Sequence, residues 1–472
     1  MKPNEQENAR SLAARLLTKI EKDKAYANLL LRRGLPCLSD PRDRQLCTAL
    51  VNGVLKNRST LDFVLRRHLR KPVSNLPLEV RQILRIGAFQ LLYTDRIPAA
   101  AAVDESVKLA RRVSARVSPD HSEPKYAGLV NAVLRRVAVD GWDFAWPDAR
   151  KDPAGALATR YSHPQWLVQA WIDRWGAAET EALCAANNET AGLCLRANTL
   201  LTSREAVKQE LEDRGLGPIE LCSWAPDGLY VIEPGVAIEQ EPAYREGRVT
   251  VQDESSQLAA WLLDARPSQR VLDVCSAPGG KTGYLAQQMR NQGELWAVDI
   301  LPERLELVRA TCARLHLDIV HPRLGNAQVL FGVPGLFERV LVDAPCSGLG
   351  VIRRRADLRW QKDPEQLRAL PALQLAILNR AADFVQQGGI LLYATCTVEP
   401  AENFEVVKAF RAARPEFEPL DLTPELSSRV AASGLESLVG PEDLKQWKKG
   451  MWQILPHRHK MDGFFVGRLR RT

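Results

Sequence analysis

The sequence predicts a multidomain protein with an all-α N-terminal domain, a small α+β linker subdomain and an α/β core. The chain has 472 residues, a length that corresponds to roughly three domains. Its first 140 residues space their apolar side chains as helices do, with almost no strand-like alternation. From residue 270 onward, short apolar runs alternate with helical stretches, which is typical of a parallel sheet.

The N-terminal domain is expected over residues 1–142 as a bundle of five to seven helices. Apolar residues recur at steps of three and four over residues 9–31, 40–55 and 78–93. Arg135 and Arg136 place positive charge in the last turns of a further helix, where the helix dipole favours it.

A segment rich in Gly, Pro, Trp and Asp at residues 140–153 is the expected linker. The α+β subdomain is then expected over residues 153–250. Its predicted elements are a helix at 166–175, a strand at 193–198, a helix at 203–214 with Ser203 as its cap, and a strand at 229–232.

The α/β core is expected over residues 251–472 as a doubly wound parallel sheet. Its predicted strands are 270–274, 294–298, 339–343 and 389–394, separated by helices at 282–289, 302–315 and 371–385. The apolar run at 464–469 is expected to end the chain as an edge strand.

Charge is unevenly spread along the chain. Residues 1–140 hold 26 Lys and Arg against 14 Asp and Glu, whereas the remainder holds 38 against 43. A basic front on a slightly acidic body indicates a polyanionic partner such as nucleic acid, and a solvated helical surface explains it equally well.

Other patterns exclude whole classes of protein. We find no apolar run of 18 residues and no signal-peptide core, so neither a membrane partner nor secretion is expected. The nine cysteines form no CxxC pair and no Cys/His zinc pattern, so no metal site is expected. Reduced thiols in the cytoplasm are the simplest interpretation.

The first candidate site is the decamer from Asp273 to Thr282, DVCSAPGGKT. A strand ends there, a Gly-Gly turn follows and a helix begins, so the backbone can approach a ligand closely. The decamer fits neither the P-loop pattern nor GxGxxG. Asp299 ends the next strand, where an acid suits the hydroxyls of a ribose, although such an acid also often caps a helix.

Two cysteines follow further strands of the same sheet. Cys346 lies in DAPCSGLG, which begins at Asp343, and Cys396 lies in ATCT. Most cysteines are buried and inert, but these two lie among polar, turn-forming residues. A thiolate can add to an electron-poor carbon such as C6 of a pyrimidine.

A basic run follows the first of these two cysteine motifs. Arg353, Arg354 and Arg355 are candidates for binding RNA phosphates, and a solvated loop is the alternative. Trp360 follows them and either packs in the core or stacks on a base.

Taken in order, these motifs resemble the RNA 5-methylcytosine methyltransferases of the Fmu/Sun (RsmB) group, within the NOL1/NOP2/Sun superfamily. The segments at 196–200, 251–259, 343–360 and 462–465 resemble the same family. Residues 1–140 resemble the NusB-like RNA-binding helical domain found in the bacterial members. The resemblance implies that the core is a Rossmann-like class I methyltransferase domain and that the chain acts on RNA.

The resemblance also implies S-adenosylmethionine as cofactor and a role for each motif residue. Cys396 would be the nucleophile, Cys346 would assist release of the base, Asp343 would contact the cytosine ring nitrogen, and Lys281 would lie near the base or the cofactor. The implied cofactor-binding residues are Cys275, Ser276, Ala277, Pro278, Gly279, Gly280, Lys281, Asp299, Asn326 and Asp343.

One departure and two alternatives accompany this interpretation. Asn326 stands where the family usually has Asp, so weaker cofactor binding is expected. The implied partner is 16S rRNA or the assembling small ribosomal subunit, with no DNA and with a monomer as the default. The alternatives are the same chemistry on tRNA or another rRNA site, and a non-catalytic RNA-binding or assembly factor.

Overall fold

The computed structural model describes residues 7–117, 126–232, 238–330 and 332–472. The chain divides into two compact units, of which the first comprises residues 1–189 and 352–362 and the second comprises residues 190–351 and 363–472. Within the described ranges, none of the helices is both long enough and apolar enough to cross a lipid bilayer.

The first unit is helical. Its helices before residue 190 are α1 Ala9–Asp23, α2 Ala27–Gly34, α3 Pro41–Arg67, α4 Leu78–Tyr93, α5 Ala99–Val117, α6 Tyr126–Asp140, α7 Pro153–Arg160, α8 Gln165–Trp175 and α9 Ala177–Ala186. The side chains of Leu12, Leu16, Leu17 and Ile20 are all buried on one face of α1, as their spacing predicts. The described part of residues 1–142 therefore confirms a bundle within the predicted number of helices.

The second unit begins with a small antiparallel sheet. Its elements are β1 Leu193–Ala197, α10 Arg204–Asp213, β2 Ile219–Leu221, β3 Gly228–Val231, α11 Pro242–Arg245 and β4 Val249–Val251. The strand order is β2-β3-β1-β4. Ser203 caps α10 by accepting a hydrogen bond from the Ala206 N–H at 3.1 Å, as predicted.

The α/β core completes the second unit. From residue 254 to the end of the chain, the elements are α12 Glu254–Leu262, β5 Arg270–Val274, α13 Gly280–Gln288, β6 Glu294–Asp299, α14 Pro302–Arg314, β7 Val320–Leu324, β8 Phe337–Asp343, α15 Leu358–Gln361, α16 Pro364–Ala382, β9 Val385–Thr395, α17 Phe404–Ala413, β10 Phe417–Pro419, α18 Thr423–Ser433, α19 Pro441–Lys448, β11 Met451–Ile454, α20 Pro456–His459 and β12 Phe464–Arg471. The sheet runs β10-β12-β9-β8-β5-β6-β7, and β11 pairs with β12. Strands β5 to β9 are parallel, whereas β12 is antiparallel to β9, so the sheet is mixed.

Helix α15 belongs to the first unit, because residues 352–362 pack there. Arg359 is fully buried and donates to the carbonyl oxygens of Ser162 and Asn187, and this burial lowers its pKa to about 9. Trp360 donates to the Leu55 carbonyl at 2.7 Å, so of its two predicted roles the structure shows packing.

Two predicted elements are wrong in detail. The final strand is not an edge strand, because β12 pairs with β9, β10 and β11. The two flanking strands β10 and β11 are only three and four residues long, too short for their pattern to stand out in the sequence. The helix predicted to start at Pro371 starts at Pro364, where Asp363 caps it, and Pro371 lies inside it.

Candidate active site

The carboxyl ends of β5, β6, β8 and β9 meet at one edge of the sheet, where the strand order reverses. A cleft of about 420 Å³ opens at this edge. Among the predicted site residues, its lining includes Cys275, Ala277, Asp299, Asn326, Asp343, Cys346 and Cys396. One cleft thus contains part of the expected cofactor site and both cysteines.

The other predicted residues of the glycine motif form the loop and the first turn of α13. The Ser276 N–H donates to the Val298 carbonyl at 2.9 Å, and the Ala277 N–H donates to Asp299 Oδ2 at 3.1 Å. Gly279 has φ +99°, and a Cβ atom there would lie 3.1 Å from Val308 Cα on α14. The loop therefore needs glycine at this position and is tied to the end of β6.

Asp299 is almost fully buried at the end of β6. Its second oxygen, Oδ1, lies 3.3 Å from the Leu301 nitrogen and 3.8 Å from Arg304 Nη1. Arg304 also donates to the Ala277 carbonyl at 2.9 Å. Ile300 and Arg304 line the cleft and were missed by the sequence analysis, because neither residue type is distinctive after a strand.

Lys281 and Asp343 form an ion pair next to the cysteines. Lys281 Nζ lies 2.7 Å from Asp343 Oδ2 and 5.2 Å from the centre of the Phe464 ring. Burial opposes the charged form of Lys281, but the charge of Asp343 and the hydrogen bond to it outweigh burial and raise the pKa of Lys281. The pair places a donor and an acceptor on the side of the cleft that holds the thiols.

The two cysteines of the neighbouring strand ends are in contact. Their Sγ atoms are 3.2 Å apart, and both side chains are partly exposed. The hydrogen bond to Cys396 and burial together raise the pKa of Cys346 well above its usual range. Cys346 and Cys396 are therefore not fully buried, as most cysteines are.

A close approach of two glycines supports the Cys346 loop. The Gly350 N–H donates to the Cys396 carbonyl at 3.0 Å, and the Gly463 N–H donates to the Gly350 carbonyl at 2.9 Å. A Cβ atom on Gly350 would lie 1.9 Å from the Gly463 carbonyl oxygen, so no side chain fits. The loop with Cys346 is therefore joined to the strand end with Cys396.

Two buried oxygens beside the glycine loop have no hydrogen-bond partner in the described structure. These are Oδ1 of Asp273 and Oγ of Ser276. Asp273 is fully buried, and its other oxygen accepts from the Thr282 hydroxyl at 2.6 Å. Burial raises the pKa of Asp273 to about 7. Such oxygens fit a ligand that brings its own N–H or O–H donors.

Asn326 lines the cleft, and its side chain is exposed. Its Oδ1 accepts from the Gln328 N–H at 2.9 Å, so its single side-chain acceptor already has a local donor. An aspartate there would offer a second oxygen. Among the described residues, no group of three or more His, Cys, Asp and Glu side chains is placed to hold a metal ion.

The three predicted RNA-binding arginines lie in the segment that packs with the first unit. Arg353, Arg354 and Arg355 are each partly buried, and none lines the cleft. The Arg355 guanidinium lies 5.1 Å from the centre of the Tyr26 ring and pairs with Asp357 at 3.5 Å. Their role in binding RNA stays a prediction.

The sheet is mixed, with an antiparallel strand beside β9. The cleft at its carboxyl edge joins a glycine turn to an acid on the next strand. Together these two features define a class I methyltransferase. Comparison with known families specifies it further. The family model for the 16S rRNA methyltransferase RsmB/F matches residues 260–470, and that of the NusB family matches residues 7–139. A ferredoxin-like domain of RsmF/B-like methyltransferases matches residues 163–239.

Whole-length relatives agree with these matches. The probable ribosomal RNA small subunit methyltransferase B of Bacillus subtilis (strain 168) is 35% identical over 469 residues, covering 98% of this chain and 99% of the relative. Ribosomal RNA small subunit methyltransferase B of Pseudomonas putida (strain KT2440) is 38% identical, covering 89% and 93%. The chain therefore belongs to the RsmB/F family of 16S rRNA methyltransferases.

A solved structure shows the same architecture over nearly the whole chain. The crystal structure of PH0851 superimposes with a TM-score of 0.78 at 25% identity, covering 98% of this chain and 99% of that one. The predicted fold class and family resemblance are confirmed, and the chain is an rRNA methyltransferase with S-adenosylmethionine as cofactor. The non-catalytic alternative is thereby disfavoured.

Asn326→Asp is expected to tighten binding of S-adenosylhomocysteine about three- to tenfold, because a charged acceptor forms a stronger hydrogen bond than an amide oxygen. Titration calorimetry of wild type, Asn326→Asp and Asn326→Ala measures this. We expect Asn326→Ala to bind no better than wild type. Equal affinity for wild type and Asn326→Asp would contradict the prediction.

Asp273→Asn is expected to remove part of the pH dependence of folding. The pKa of Asp273 is raised from 3.8 to about 7 by burial, so the folded chain retains a proton that the unfolded chain has lost. The stability that this provides is complete below pH 3.8 and is lost as pH rises to 7, at about 1.4 kcal/mol per pH unit.

Urea unfolding of the ligand-free protein between pH 4 and pH 8 measures this dependence. Relative to Asp273→Asn, wild type is expected to lose up to about 4 kcal/mol of unfolding free energy over that range. Asp213→Asn, an exposed change on α10, is the control. Parallel curves for wild type and Asp273→Asn would contradict the prediction.

Proposed function

We propose that the chain transfers the methyl group of S-adenosylmethionine to C5 of a cytosine in 16S rRNA through a covalent adduct between Cys396 and C6 of the base. The observation that supports this most directly is the pair of sulfur atoms 3.2 Å apart in the cofactor cleft. The Lys281–Asp343 ion pair lies beside them. C5 of cytosine is a poor nucleophile, and such a site supplies what the reaction needs to activate it.

The bound cofactor supplies an electrophilic methyl group on a sulfonium. In this chain, the loop from Cys275 to Lys281 would wrap it, and Asp299 would accept from its ribose hydroxyls. Asn326 would accept from its adenine amino group, and Asp343, which lines the same cleft, would contact both the cofactor and the base. The unpartnered oxygens of Asp273 and Ser276 fit a donor-bearing ligand in this loop.

In the first step, the Cys396 thiolate attacks C6, and the S–C6 bond forms. The electron pair of the C5–C6 double bond moves towards C5 and the ring, which makes C5 nucleophilic. Asp343, which accepts from Lys281 at 2.7 Å, would take the proton of the Lys281 ammonium group and pass a proton to ring N3, so that N3 gains the proton that Lys281 loses. C5 would then take the methyl group, whose bond to the cofactor sulfur breaks to leave S-adenosylhomocysteine.

In the second step, a base removes the remaining proton of C5. The released electron pair restores the C5–C6 double bond and expels Cys396 as a thiolate, and N3 returns its proton to the Lys281–Asp343 pair. Cys346 is the group in contact with that sulfur, so it is the candidate that assists this release. The cytosine must be unpaired or turned out of its stack to reach the cleft.

The remaining parts of the chain suit an RNA substrate. We assign residues 1–142 to RNA binding, because their net charge of +12 attracts phosphates. We assign residues 153–250 to the connecting subdomain, although residues 153–189 pack in the first unit, and residues 251–472 to the methyltransferase domain, apart from residues 352–362, which also pack in the first unit. Arg353, Arg354 and Arg355 would contact phosphates. The substrate is 16S rRNA or the assembling small subunit in the cytoplasm, with the protein acting as a monomer.

The test is a methyl-transfer assay with labelled S-adenosylmethionine, unmodified 16S rRNA and, in parallel, tRNA. Mass spectrometry of the digested nucleosides identifies the product. We expect 5-methylcytosine in the 16S rRNA sample. Label in tRNA alone would support the proposed reaction but contradict 16S rRNA as the substrate. A methylated nucleoside other than 5-methylcytosine would contradict the proposed reaction.

A further inference from the structure

A buried carboxyl group on the loop after β9 has no part in the steps above. Glu402 is 1% exposed and lies in the short turn Pro400–Glu402. Burial raises the pKa of Glu402, against hydrogen bonds from Ser347 and Gln374 that favour the charged form. Burying a carboxyl group costs free energy unless hydrogen bonds compensate for the lost water. The hydrogen-bond partners of Glu402 therefore indicate its role.

Glu402 is bound first to the loop that carries Cys346. Its Oε2 accepts from the Ser347 N–H at 2.8 Å and from Gln374 Nε2 at 2.9 Å. The same Gln374 nitrogen donates to the Pro345 carbonyl at 3.0 Å. The residues on both sides of Cys346 are therefore held by one carboxylate and the amide beside it.

Glu402 is also bound to the loop that carries Cys396. Its Oε1 lies 3.4 Å from the Thr397 hydroxyl, and its carbonyl accepts from the Tyr393 hydroxyl at 2.6 Å. The Thr397 hydroxyl lies 2.7 Å from the Ser347 hydroxyl, so the residues that follow the two cysteines are joined directly. All of these atoms are buried, which makes the network rigid.

The charges around the thiols are also unequal. Cys346 is affected by the charges of Glu402 and Asp343, which oppose its ionisation. The ammonium group of Lys281, by contrast, interacts with Cys396. The charge of Glu399, the other buried acid of this loop, adds to the effect of burial in raising the pKa of Glu402.

We propose that Glu402 is a positioning residue that ties the Cys346 loop to the Cys396 loop and sets the distance between the two sulfur atoms. It does not line the cleft. The consequence for the reaction, slow release of the methylated base when Glu402 is lost, rests on the proposed function. The positioning itself does not.

The positioning is tested without RNA or cofactor, with phenylarsine oxide as the probe. This reagent binds two thiols at once and releases one water molecule, so its affinity depends on the separation of the sulfurs. Cys194 and Cys222, whose sulfurs are 3.6 Å apart, form a second and fully buried pair. The Cys346→Ala variant measures the background from that pair.

We expect Glu402→Ala to weaken the bridging of Cys346 and Cys396 at least tenfold, and Glu402→Gln to weaken it less, because its amide oxygen can still accept from Ser347. Glu405→Gln, an exposed change three residues away, is the matched control and should behave as wild type. Far-UV circular dichroism and S-adenosylhomocysteine affinity check that each variant is folded.

If Glu402→Ala does not fold, Glu402→Gln alone decides the question. Wild-type affinity for the arsenical in every folded Glu402 variant would overturn the proposal.

Single-turnover assays then test the consequence for the reaction. We expect the covalent protein–RNA complex to persist longer in the Glu402 variants than in wild type. Loss of bridging without a persistent complex would retain the positioning role and reject the assigned role in release. Wild type without any methyl transfer would reject the proposed function and leave the arsenical result valid.

Discussion

Cys396→Ala is expected to lower methyl transfer to cytosine by at least about 10⁴-fold, in the range observed when a covalent nucleophile is removed from an enzyme. Without the thiolate, no S–C6 bond forms and C5 stays a poor nucleophile. The cofactor should still bind with wild-type affinity, because the glycine loop and Asp299 are unchanged. The expected result is therefore a loss of turnover with an unchanged cofactor affinity.

Cys346→Ala is the informative partner of that variant. Its sulfur is 3.2 Å from that of Cys396, so removal leaves the attack possible and deprives the release step of its nearest helper. We expect a covalent protein–RNA complex that survives denaturing gel electrophoresis, and that is absent from Cys396→Ala and from the double variant. A stable complex with Cys396→Ala instead would exchange the roles of the two cysteines.

The control for both variants is a cysteine outside the cleft. Cys312→Ala on α14 removes a buried thiol that lines no part of the cleft. It should retain turnover at some cost in stability, since truncation of a small buried side chain costs on the order of 1 kcal/mol. Turnover in Cys312→Ala as low as in Cys396→Ala would show that the assay reports folding.

Much of the core could be predicted because its signals are local. A buried parallel strand shows as a short apolar run, and the run at 270–274 corresponds to β5 without a shift. Strand β7 was missed because it lies at the sheet edge and reads VHPRL, in which most side chains are exposed. The final strand was misplaced because its neighbours β10 and β11 are too short to be recognised.

In the candidate site too, some residues could be predicted from local sequence and others could not. The glycine motif, Asp299 and the two cysteines follow strands directly, so their convergence on one edge follows from the topology of the sheet. Glu402 and Gln374 could not be selected, because their importance comes from contacts across 55 and 28 residues of sequence. That residues 352–362 pack in the first unit was likewise not visible in a segment that follows Cys346 directly.

The Lys281–Asp343 ion pair gives the second large effect. Asp343→Asn and Lys281→Met are each expected to lower the single-turnover rate about 10²- to 10³-fold, the contribution typical of a positioned proton donor. Asp343→Asn removes the carboxylate that passes the Lys281 proton to N3 and leaves the Lys281 ammonium without its counter-ion at 2.7 Å. Lys281→Met keeps the carboxyl group but removes the proton that it passes to N3.

The two residues act as one unit, so their effects should not add. A double-mutant cycle is expected to show that the double variant is little slower than the worse single variant. Additive losses would mean that Lys281 and Asp343 serve separate steps. Cofactor affinity, measured on the same samples, separates a loss of chemistry from a loss of binding.

The pH dependence of the rate gives an independent test of the pair. The charge of Asp343 and its hydrogen bond raise the pKa of Lys281 against burial, so Asp343→Asn should let burial lower that pKa. The rate of the variant should therefore decline at a lower pH than the rate of wild type as the solution is made more alkaline, because Lys281 loses its proton earlier. Single-turnover rates between pH 6 and pH 10 measure the shift. Identical alkaline limbs would show that the Lys281 proton is not used in the rate-limiting step, and Asp343 would then act on N3 without it.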